Sequence, residues 1–98
     1  MIEVKLPGPL RLLANIEEEI KLKVSAPLTQ RRLLDELERR YPSLVGTLRQ
    51  AGSGKRREFI RFFAEGRDLS HDSPDSPLPP SVAEGREPYL IIGAIAGG

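Results

Sequence analysis

Tyr89–Gly98 reads YLIIGAIAGG, and this stretch decides how the rest of the chain must fold. The run from Tyr89 to Ile95 is apolar at consecutive positions, a pattern typical of a strand that is buried on both faces. We therefore expect it to be the central strand of a sheet. Ala96, Gly97 and Gly98 follow at once, and glycine gives a chain end the slim profile and free backbone needed to enter a narrow site.

Two further strands are predicted near the beginning of the chain. Apolar residues alternate with charged or polar ones in Ile2–Leu6 and again in Ile20–Ser25, with the period of two that a half-buried strand requires. Residues 7–18 between them are rich in turn-forming Pro, Gly and Asn. The two strands are expected to form an antiparallel pair with a wide connection.

The main helix is predicted from Gln30 to Tyr41. Thr29 before it is a favourable N-cap, and Pro42 ends it because proline cannot continue the helix. A further short turn is expected within Leu44–Leu48. The apolar stripe of the helix, which needs a sheet to cover it, consists of Leu33, Leu34, Leu37 and Tyr41.

The second half of the chain is predicted to hold two more strands and a long loop. Phe59–Ala64 is expected to be a strand, followed by a tight turn at Glu65–Arg67 and a short returning strand at Asp68–Ser70. Residues 71–88 are rich in Pro, Ser and Asp and are expected to form an irregular loop. With the helix on one face and the first and last strands side by side, residues 1–98 make a single α+β roll.

Composition excludes several classes of function. The 98 residues include 15 basic and 14 acidic ones, so the net charge of +1 provides no general attraction for nucleic acid or an anionic membrane. The chain has no cysteine and a single histidine, His71, which excludes disulfides, thiolate sites and the usual multi-histidine metal cluster. No targeting or membrane-spanning pattern is visible. We expect a cytoplasmic protein without a metal, a membrane partner or direct nucleic-acid contact.

A local basic cluster, Lys55–Arg57, stands out against this neutral balance, with Arg49 and Arg61 nearby. Such a cluster can meet a phosphate or an acidic partner surface, but a solvated loop is the favoured interpretation. No aromatic residue is interleaved to stack a base, and the neighbouring GSGK lacks the spacing of a phosphate-binding loop.

The order of strands and helix, together with the Ala-Gly-Gly ending, resembles the MoaD/ThiS-type ubiquitin-like sulfur carrier proteins. The resemblance extends from MIEVKLPGPLRLLANIEEEIKLKV through LLDELERRYPSLVGTL and FIRFFAEGRDLS to IAGG. It implies a β-grasp fold with a mixed sheet of four to five strands and one main helix across one face. It also implies a protein substrate rather than an enzyme.

By this resemblance, Gly98 carries the reactive carboxylate. A MoeB/ThiF-type adenylating enzyme, which would itself bind ATP and Mg²⁺, would join the carboxylate to AMP, and the product would become a thiocarboxylate. Ile95, Ala96 and Gly97 would enter the partner's active site, with residues 96–98 as a flexible tail. Ordering three tail residues costs roughly 3–6 kcal/mol of backbone entropy, so the folded body must help to hold the partner.

A docking patch is expected on the sheet. Phe59, Arg61 and Phe63 share one side of the predicted third strand, and the side with the charged residue is expected to be exposed. Leu90 and Ile92 would complete an apolar patch, in which burial of each large side chain contributes roughly 1.5–3 kcal/mol. The alternative is that loops cover this face.

Several functions remain open at this point. We favour the small MoaD-like subunit of molybdopterin synthase, with a MoaE-like large subunit as partner. The absence of a proline just before the tail and the long 71–88 loop leave thiamin, cysteine and thiolated-tRNA biosynthesis open. Other candidates are a ubiquitin-like modifier joined to lysine and a β-grasp adaptor whose tail is never activated.

Overall fold

Five strands form one mixed sheet in the computed structural model, which describes residues 1–93. The first and last strands are neighbours and run parallel, whereas all other neighbours are antiparallel. The expected adjacency of first and last strands is therefore confirmed, as is the antiparallel pairing of the first two. The strands are β1 (Ile2–Lys5), β2 (Ile20–Leu22), β3 (Ile60–Ala64), β4 (Arg67–Asp68) and β5 (Tyr89–Gly93), in the spatial order β2-β1-β5-β3-β4.

The N-terminal strand pair is shorter than its alternating pattern predicts. The ladder between β1 and β2 begins at the pair Val4–Ile20 and ends at the pair Ile2–Leu22. The prediction that the second strand reaches Ser25 was wrong, because residues after Leu22 have no partner in β1. Alternation alone shows which side chains share a face but not where a neighbouring strand stops.

The main helix, α2 (Gln30–Arg40), lies where the sequence predicts it. The Thr29 hydroxyl accepts a hydrogen bond of 3.2 Å from the Arg32 N–H, so the predicted N-cap is present. Tyr41 is the C-cap instead of the last helical residue, and Pro42–Leu44 then form a single turn of 3₁₀ helix.

One face of the sheet packs on α2 and forms the core. Leu33, Leu34 and Leu37 of the helix are buried in the same cluster as the inward side chains of the strands. The rings of Phe62 and Tyr89 lie 5.7 Å apart between centroids, a normal distance for an aromatic pair. We call this the closed face; its strand residues are Ile2, Val4, Ile20, Leu22, Ile60, Phe62, Ala64, Tyr89 and Ile91.

A short helix, α1 (Gly8–Leu13), occupies the wide connection that was predicted from its turn-forming residues. Pro9 lies in its first turn, where proline is tolerated because that N–H has no helical partner. Asn15, with φ at +56°, lies just beyond its C-cap. The turn formers thus lie at the ends of a helical segment that the period-two analysis did not find.

The β3–β4 hairpin differs by a few residues from its prediction. Glu65 and Gly66 both have positive φ, at 55° and 73°, as in a two-residue type I′ turn. The returning strand therefore begins at Arg67 and ends at Asp68, so its predicted span of Asp68–Ser70 was wrong. The start predicted for the third strand was also wrong, since Phe59 lies in a turn. In this turn the Ile60 N–H donates a hydrogen bond of 3.1 Å to the Arg57 carbonyl.

The 71–88 segment is more ordered than its composition predicts. It includes α3 (Pro80–Ala83), and it buries Leu78 and Val82 in the core. The Leu78 N–H donates to the Leu28 carbonyl at 2.9 Å, which fixes the segment beside the start of α2. The segment is therefore an integral part of the core.

Candidate functional site

The sheet face opposite α2 carries four of the five residues of the predicted docking patch. Cross-strand pairing between β3 and β5 places Arg61 directly opposite Ile92, and Phe63 directly opposite Leu90. Residues that are directly opposite in a sheet point to the same side, so these four side chains share one surface. We call this surface the open face.

The open face is apolar along the central strand and partly accessible. Ile92 is 42% exposed, while Arg61, Phe63 and Leu90 are half-buried. Strand β5 is thus apolar on both faces, but only its Tyr89 and Ile91 side is buried in the core. The second apolar side, with Leu90 and Ile92, belongs to the open face, where the docking patch was predicted.

Phe59 occupies a different place from the one predicted. It precedes β3 instead of belonging to it, and 60% of its surface is exposed. Ile60, the next residue, pairs with Gly93 at the end of β5. Phe59 therefore lies at the end of the sheet where the chain leaves β5. It is beside the open face but is not one of the strand residues that form it.

Charged residues border the apolar part of the open face. Lys5 is paired with Leu90 from β1, and Glu3 and Lys21 lie opposite each other on β1 and β2. These three rim residues were missed as candidates, although the alternation in the first strand already placed Glu3 and Lys5 away from the core.

On the other border, Arg61 lies 3.6 Å from the Asp68 carboxylate and 3.2 Å from Nε2 of His71. Hydrogen bonds from the Ser70 side chain and N–H, with a smaller contribution from the charges of Arg61 and His71, lower the pKa of Asp68. Asp68 thus stays ionised at neutral pH and holds the Arg61 guanidinium at the edge of the apolar patch.

The basic cluster and its neighbour Arg49 differ in exposure. Arg49 is buried, and its guanidinium pairs with Glu38 at 3.0 and 3.1 Å and with Asp35. Burial disfavours the charged form of Arg49, but the hydrogen bonds that Arg49 donates to Glu38 and Asp35, with the charges of these two carboxylates, outweigh it and raise the pKa of Arg49. Arg49 is therefore part of the fold, whereas Lys55 and Arg57 remain exposed.

The predicted tail comes directly after β5, the strand that carries Leu90 and Ile92 of the open face. Gly93 is the last described residue, and the predicted tail residues Ile95, Ala96, Gly97 and Gly98 lie outside the described residues. Because a fully extended chain spans at most about 3.3–3.6 Å per residue, five residues after Gly93 can reach no further than roughly 18 Å. A partner that receives Gly98 must therefore approach this end of the sheet.

Within residues 1–93 we find no group of three His, Asp or Glu side chains arranged to hold a metal ion. In the same part of the chain, no helix has both the length and the apolar character needed to cross a membrane. The cavity between α2 and the 49–56 region measures about 50 Å³, which is room for little more than ordered water.

The architecture, a five-stranded mixed sheet with a main helix on one face, is the β-grasp fold, and solved structures confirm it. A chain of the Amycolatopsis orientalis BexX/CysO complex matches with a TM-score of 0.75 and 20% identity, over 100% of both chains. SAMP1 from Haloferax volcanii matches with a TM-score of 0.73 and 19% identity, over 98% of this chain and 97% of that one. A structure of small archaeal modifier protein 1 from H. volcanii matches with a TM-score of 0.71 and 16% identity, over 95% of each chain.

The similarity to these structures establishes the fold class that the sequence predicted, a ubiquitin-like β-grasp roll. The resemblance to the ubiquitin-like sulfur carriers is thereby confirmed at the level of the fold. No protein-family model matches the sequence, and no curated protein matches it either.

Proposed function

We propose that this protein is a sulfur carrier: a protein substrate whose Gly98 carboxylate is activated by a separate enzyme. The observation that carries the proposal is the course of β5. This strand is central, shows an apolar row on the open face, and leads at Gly93 into the sequence Ala-Ile-Ala-Gly-Gly. A partner can thus bind the folded body and receive the tail from one direction.

The chemistry occurs at the terminal carboxylate. A carboxylate oxygen attacks the α-phosphorus of ATP on a MoeB/ThiF-type enzyme, pyrophosphate leaves, and an acyl-adenylate forms. Hydrosulfide, supplied by the sulfur donor, then attacks the acyl carbon, the bond to AMP breaks and AMP leaves, so that Gly98 carries a thiocarboxylate. Two glycines suit this step because they add no side chain to the narrow channel that must surround the adenylate.

The open face supplies the binding energy that the tail lacks. Ordering the last three residues costs roughly 1–2 kcal/mol each. Burial of Ile92, Leu90 and Phe63 contributes up to about 1.5–3 kcal/mol per residue, less the part already buried in the free protein. The face can therefore offset the tail's ordering entropy, and Lys5 and Arg61 at its border favour a partner with carboxylates at matching positions.

More specifically, we propose that the protein is the small subunit of a molybdopterin synthase, in which a MoaE-like large subunit accepts the tail. The acceptor's active site, not this chain, would determine the pathway. Purification of the complex with the large subunit, followed by conversion of the precursor to the dithiolene, would test this form directly.

A second candidate is a ubiquitin-like modifier whose Gly98 is joined to lysine. Its support is the structural similarity to a protein that is itself named a small archaeal modifier. Both candidates share the activation step and differ in the nucleophile that displaces AMP. A third candidate, the adaptor, predicts that removal of Gly97 and Gly98 has no effect on function.

The decisive experiment is activation of the purified protein. The chain is incubated with the adenylating enzyme of its host, ATP, Mg²⁺ and a sulfur donor, and the intact mass and the C-terminal peptide mass are recorded. Replacement of oxygen by sulfur adds about 16 Da, and oxidation of Met1 adds nearly the same mass, so the modified peptide must be identified. A chain lacking Gly97 and Gly98 is the matched control.

Three outcomes separate the candidates. Sulfur on Gly98 supports the carrier. An adenylate that reacts only with lysine supports the modifier. An unmodified chain, with an enzyme shown to be active on another substrate, would leave the adaptor.

A further inference from the structure

A groove next to the end of β5 includes the whole basic cluster, Lys55–Arg57, in its lining. It has a volume of about 500 Å³, and Ile60, the partner of Gly93 in the sheet, is one of its lining residues. The groove therefore begins where the last five residues of the chain are attached. The remaining lining residues are Thr47, Gln50, Lys55, Arg56, Arg57, Glu58 and Phe59.

The charge of this groove is not balanced by the rest of the protein. Three cationic residues and one carboxylate line it, which leaves a net charge of +2. Within residues 1–93, none of Lys55, Arg56 and Arg57 takes part in an ion pair. The lining thus carries an excess of positive charge that can attract a further anion.

Two of the cations are held in place by neutral partners. Nε of Arg57 donates to the Gly46 carbonyl at 2.8 Å, and Nη1 of Arg56 donates to the Ile60 carbonyl at 2.6 Å. Backbone carbonyls fix the orientation of these guanidinium groups without neutralising their charge. A guanidinium that is already oriented loses less side-chain entropy when it binds a carboxylate.

We propose that this groove binds the chain's own last five residues, with the Gly98 carboxylate beside Lys55 and Arg57 and Ile95 on Phe59. The segment Ala94–Gly98 has the matching chemistry, since it combines one large apolar side chain with one terminal negative charge. It can extend at most roughly 18 Å from Gly93, and Gly93 is paired with the groove residue Ile60.

The contact is formed by side chains and the terminal carboxylate, not by an additional strand pair. The Ile60 N–H is already bonded to the Arg57 carbonyl at 3.1 Å, and Phe59 lies in a turn that precedes β3. Attachment to Gly93 gives the carboxylate an effective concentration in the millimolar range, so weak contacts suffice for partial occupancy.

Docking of the tail restrains the activation proposed above. A carboxylate that lies in the groove must leave it before it can enter an adenylating enzyme, so the docked population is not available for activation. This consequence rests on the proposed function, whereas the docking itself does not.

The test compares the full chain with an identical chain whose C-terminus is an amide. Amidation removes the charge and leaves every side chain in place. We expect it to shift the NMR amide signals of Thr47, Lys55 and Phe59, and we expect the shifts to vanish at high salt because exposed charges are screened. Confinement of the changes to Gly97 and Gly98 would overturn the proposal.

Substitutions identify the site. Lys55→Gln removes a groove cation on an exposed loop, and Lys23→Gln removes an exposed lysine elsewhere. In Lys55→Gln, the NMR shifts that amidation causes at the groove residues should be at least twofold smaller than in the wild-type chain. In Lys23→Gln they should be the same as in the wild-type chain. Equal effects in both would overturn the proposal, as would groove signals that respond to inorganic phosphate but not to amidation.

The adenylation assay gives a separate result. With the active enzyme, Lys55→Gln is expected to raise kcat/KM about twofold, and Lys23→Gln to leave it unchanged. A lower value for Lys55→Gln would overturn the restraint and show that Lys55 serves the enzyme. Complete absence of adenylation would contradict the proposed function, while the NMR comparison would still decide whether the tail docks.

Discussion

Tyr89 and Gln30 form a polar pair inside the core. The phenol of Tyr89 is fully buried and donates to Oε1 of Gln30, whose Nε2 donates to the Leu69 carbonyl at 3.2 Å. The apolar run containing Tyr89 could be predicted from sequence. Its hydrogen-bond partner could not, since Gln30 is 59 residues away and nothing local indicates the pairing.

This pair predicts a loss of stability in alkaline solution. Burial raises the pKa of Tyr89 well above its ordinary value, with the charge of Arg49 acting weakly in the opposite direction. The unfolded chain releases the phenol proton near pH 10 while the folded chain retains it, so the free energy of unfolding falls as pH rises from about 10.

Urea denaturation at a series of pH values measures this effect. Tyr89→Phe should be about 1–3 kcal/mol less stable at neutral pH, because the Gln30 carbonyl oxygen loses its hydrogen-bond donor. Above about pH 10, its free energy of unfolding should lack the decrease that ionisation of Tyr89 causes in the wild-type protein. Tyr41→Phe is the control and should retain that loss. The same alkaline slope in wild type and Tyr89→Phe would contradict the assignment.

Gly85 is required by its backbone and by its neighbour. Its φ is +80°, and a Cβ at this position would lie 2.5 Å from the Met1 carbonyl oxygen. Gly52 has a similar φ of +89° but open space around it. Gly52→Ala should therefore cost only the backbone strain of roughly 1–2 kcal/mol, and Gly85→Ala should cost clearly more. Thermal unfolding of both variants measures the difference, and equal costs would show that Met1 moves aside freely.

The loop between α2 and β3 is attached to α2 by one buried arginine. Arg49 and Arg56 form an isolated antiparallel bridge in this loop, and the Arg49 guanidinium attaches it to α2 through Glu38 and Asp35. The side chains of Arg49 and Glu38 are only 10% and 14% exposed. This ion pair is therefore little screened by solvent, and it holds the loop that lines the basic groove against α2.

Arg49→Met tests that attachment. Removal of one partner leaves Glu38 as an uncompensated, mostly buried charge, for which a cost of about 3–5 kcal/mol is expected. Combining Arg49→Met with Glu38→Leu removes both charges and should recover more than half of that cost. Chemical denaturation of the two single variants and the double variant gives the coupling free energy. Additive costs would show that the two residues act independently.

Patterns of apolar residues predicted the long elements well and the short ones poorly. The helix α2 has an N-cap and a three-leucine stripe, so its start was correct to the residue. Helices α1 and α3 have only six and four residues, too few for a helical period to show, and both lie among prolines. Helix α3 is anchored by the buried Val82, whereas α1 has no buried residue and packs on the core through the partly buried Leu10.

The candidate site was predicted by the same reasoning, with the same limit. Alternation placed Arg61 and Phe63 on one side of their strand, and the register with β5 brought Leu90 and Ile92 to them. Phe59 was assigned to the strand because the two-residue alternation continues through it, although it lies in the turn that precedes β3. The roles of the patch and of the tail residues remain predictions.

At the scale of the whole molecule, the two faces of the sheet have different tasks. The closed face and α2 hold the fold together, while the apolar row on the open face contributes little to the core. An apolar, partly exposed row on a central strand is a cost to a protein that stays alone, since it favours nonspecific association. Its presence beside the attachment point of the tail is explained if a partner covers it.

Ile92→Glu tests this division of tasks. The new carboxylate would lie directly opposite Arg61 in the sheet, and an opposite-charge pair there should keep the folded state stable. In a complex, the same carboxylate would be placed in an apolar contact. Loss of about 1.5–3 kcal/mol of binding corresponds to a decrease of roughly 10-fold to 100-fold in kcat/KM for adenylation.

Leu12→Glu is the matched control for Ile92→Glu. Leu12 on α1 is 83% exposed and lies off the open face, so the same substitution there adds the same charge without altering the proposed contact. Circular dichroism and thermal unfolding should show both variants to be folded, and only Ile92→Glu should be activated slowly. Equal activation of the two variants would mean that the partner binds the tail without the open face. The apolar row would then need another explanation, such as contact with a second copy of the chain, which sedimentation of the wild-type protein would detect.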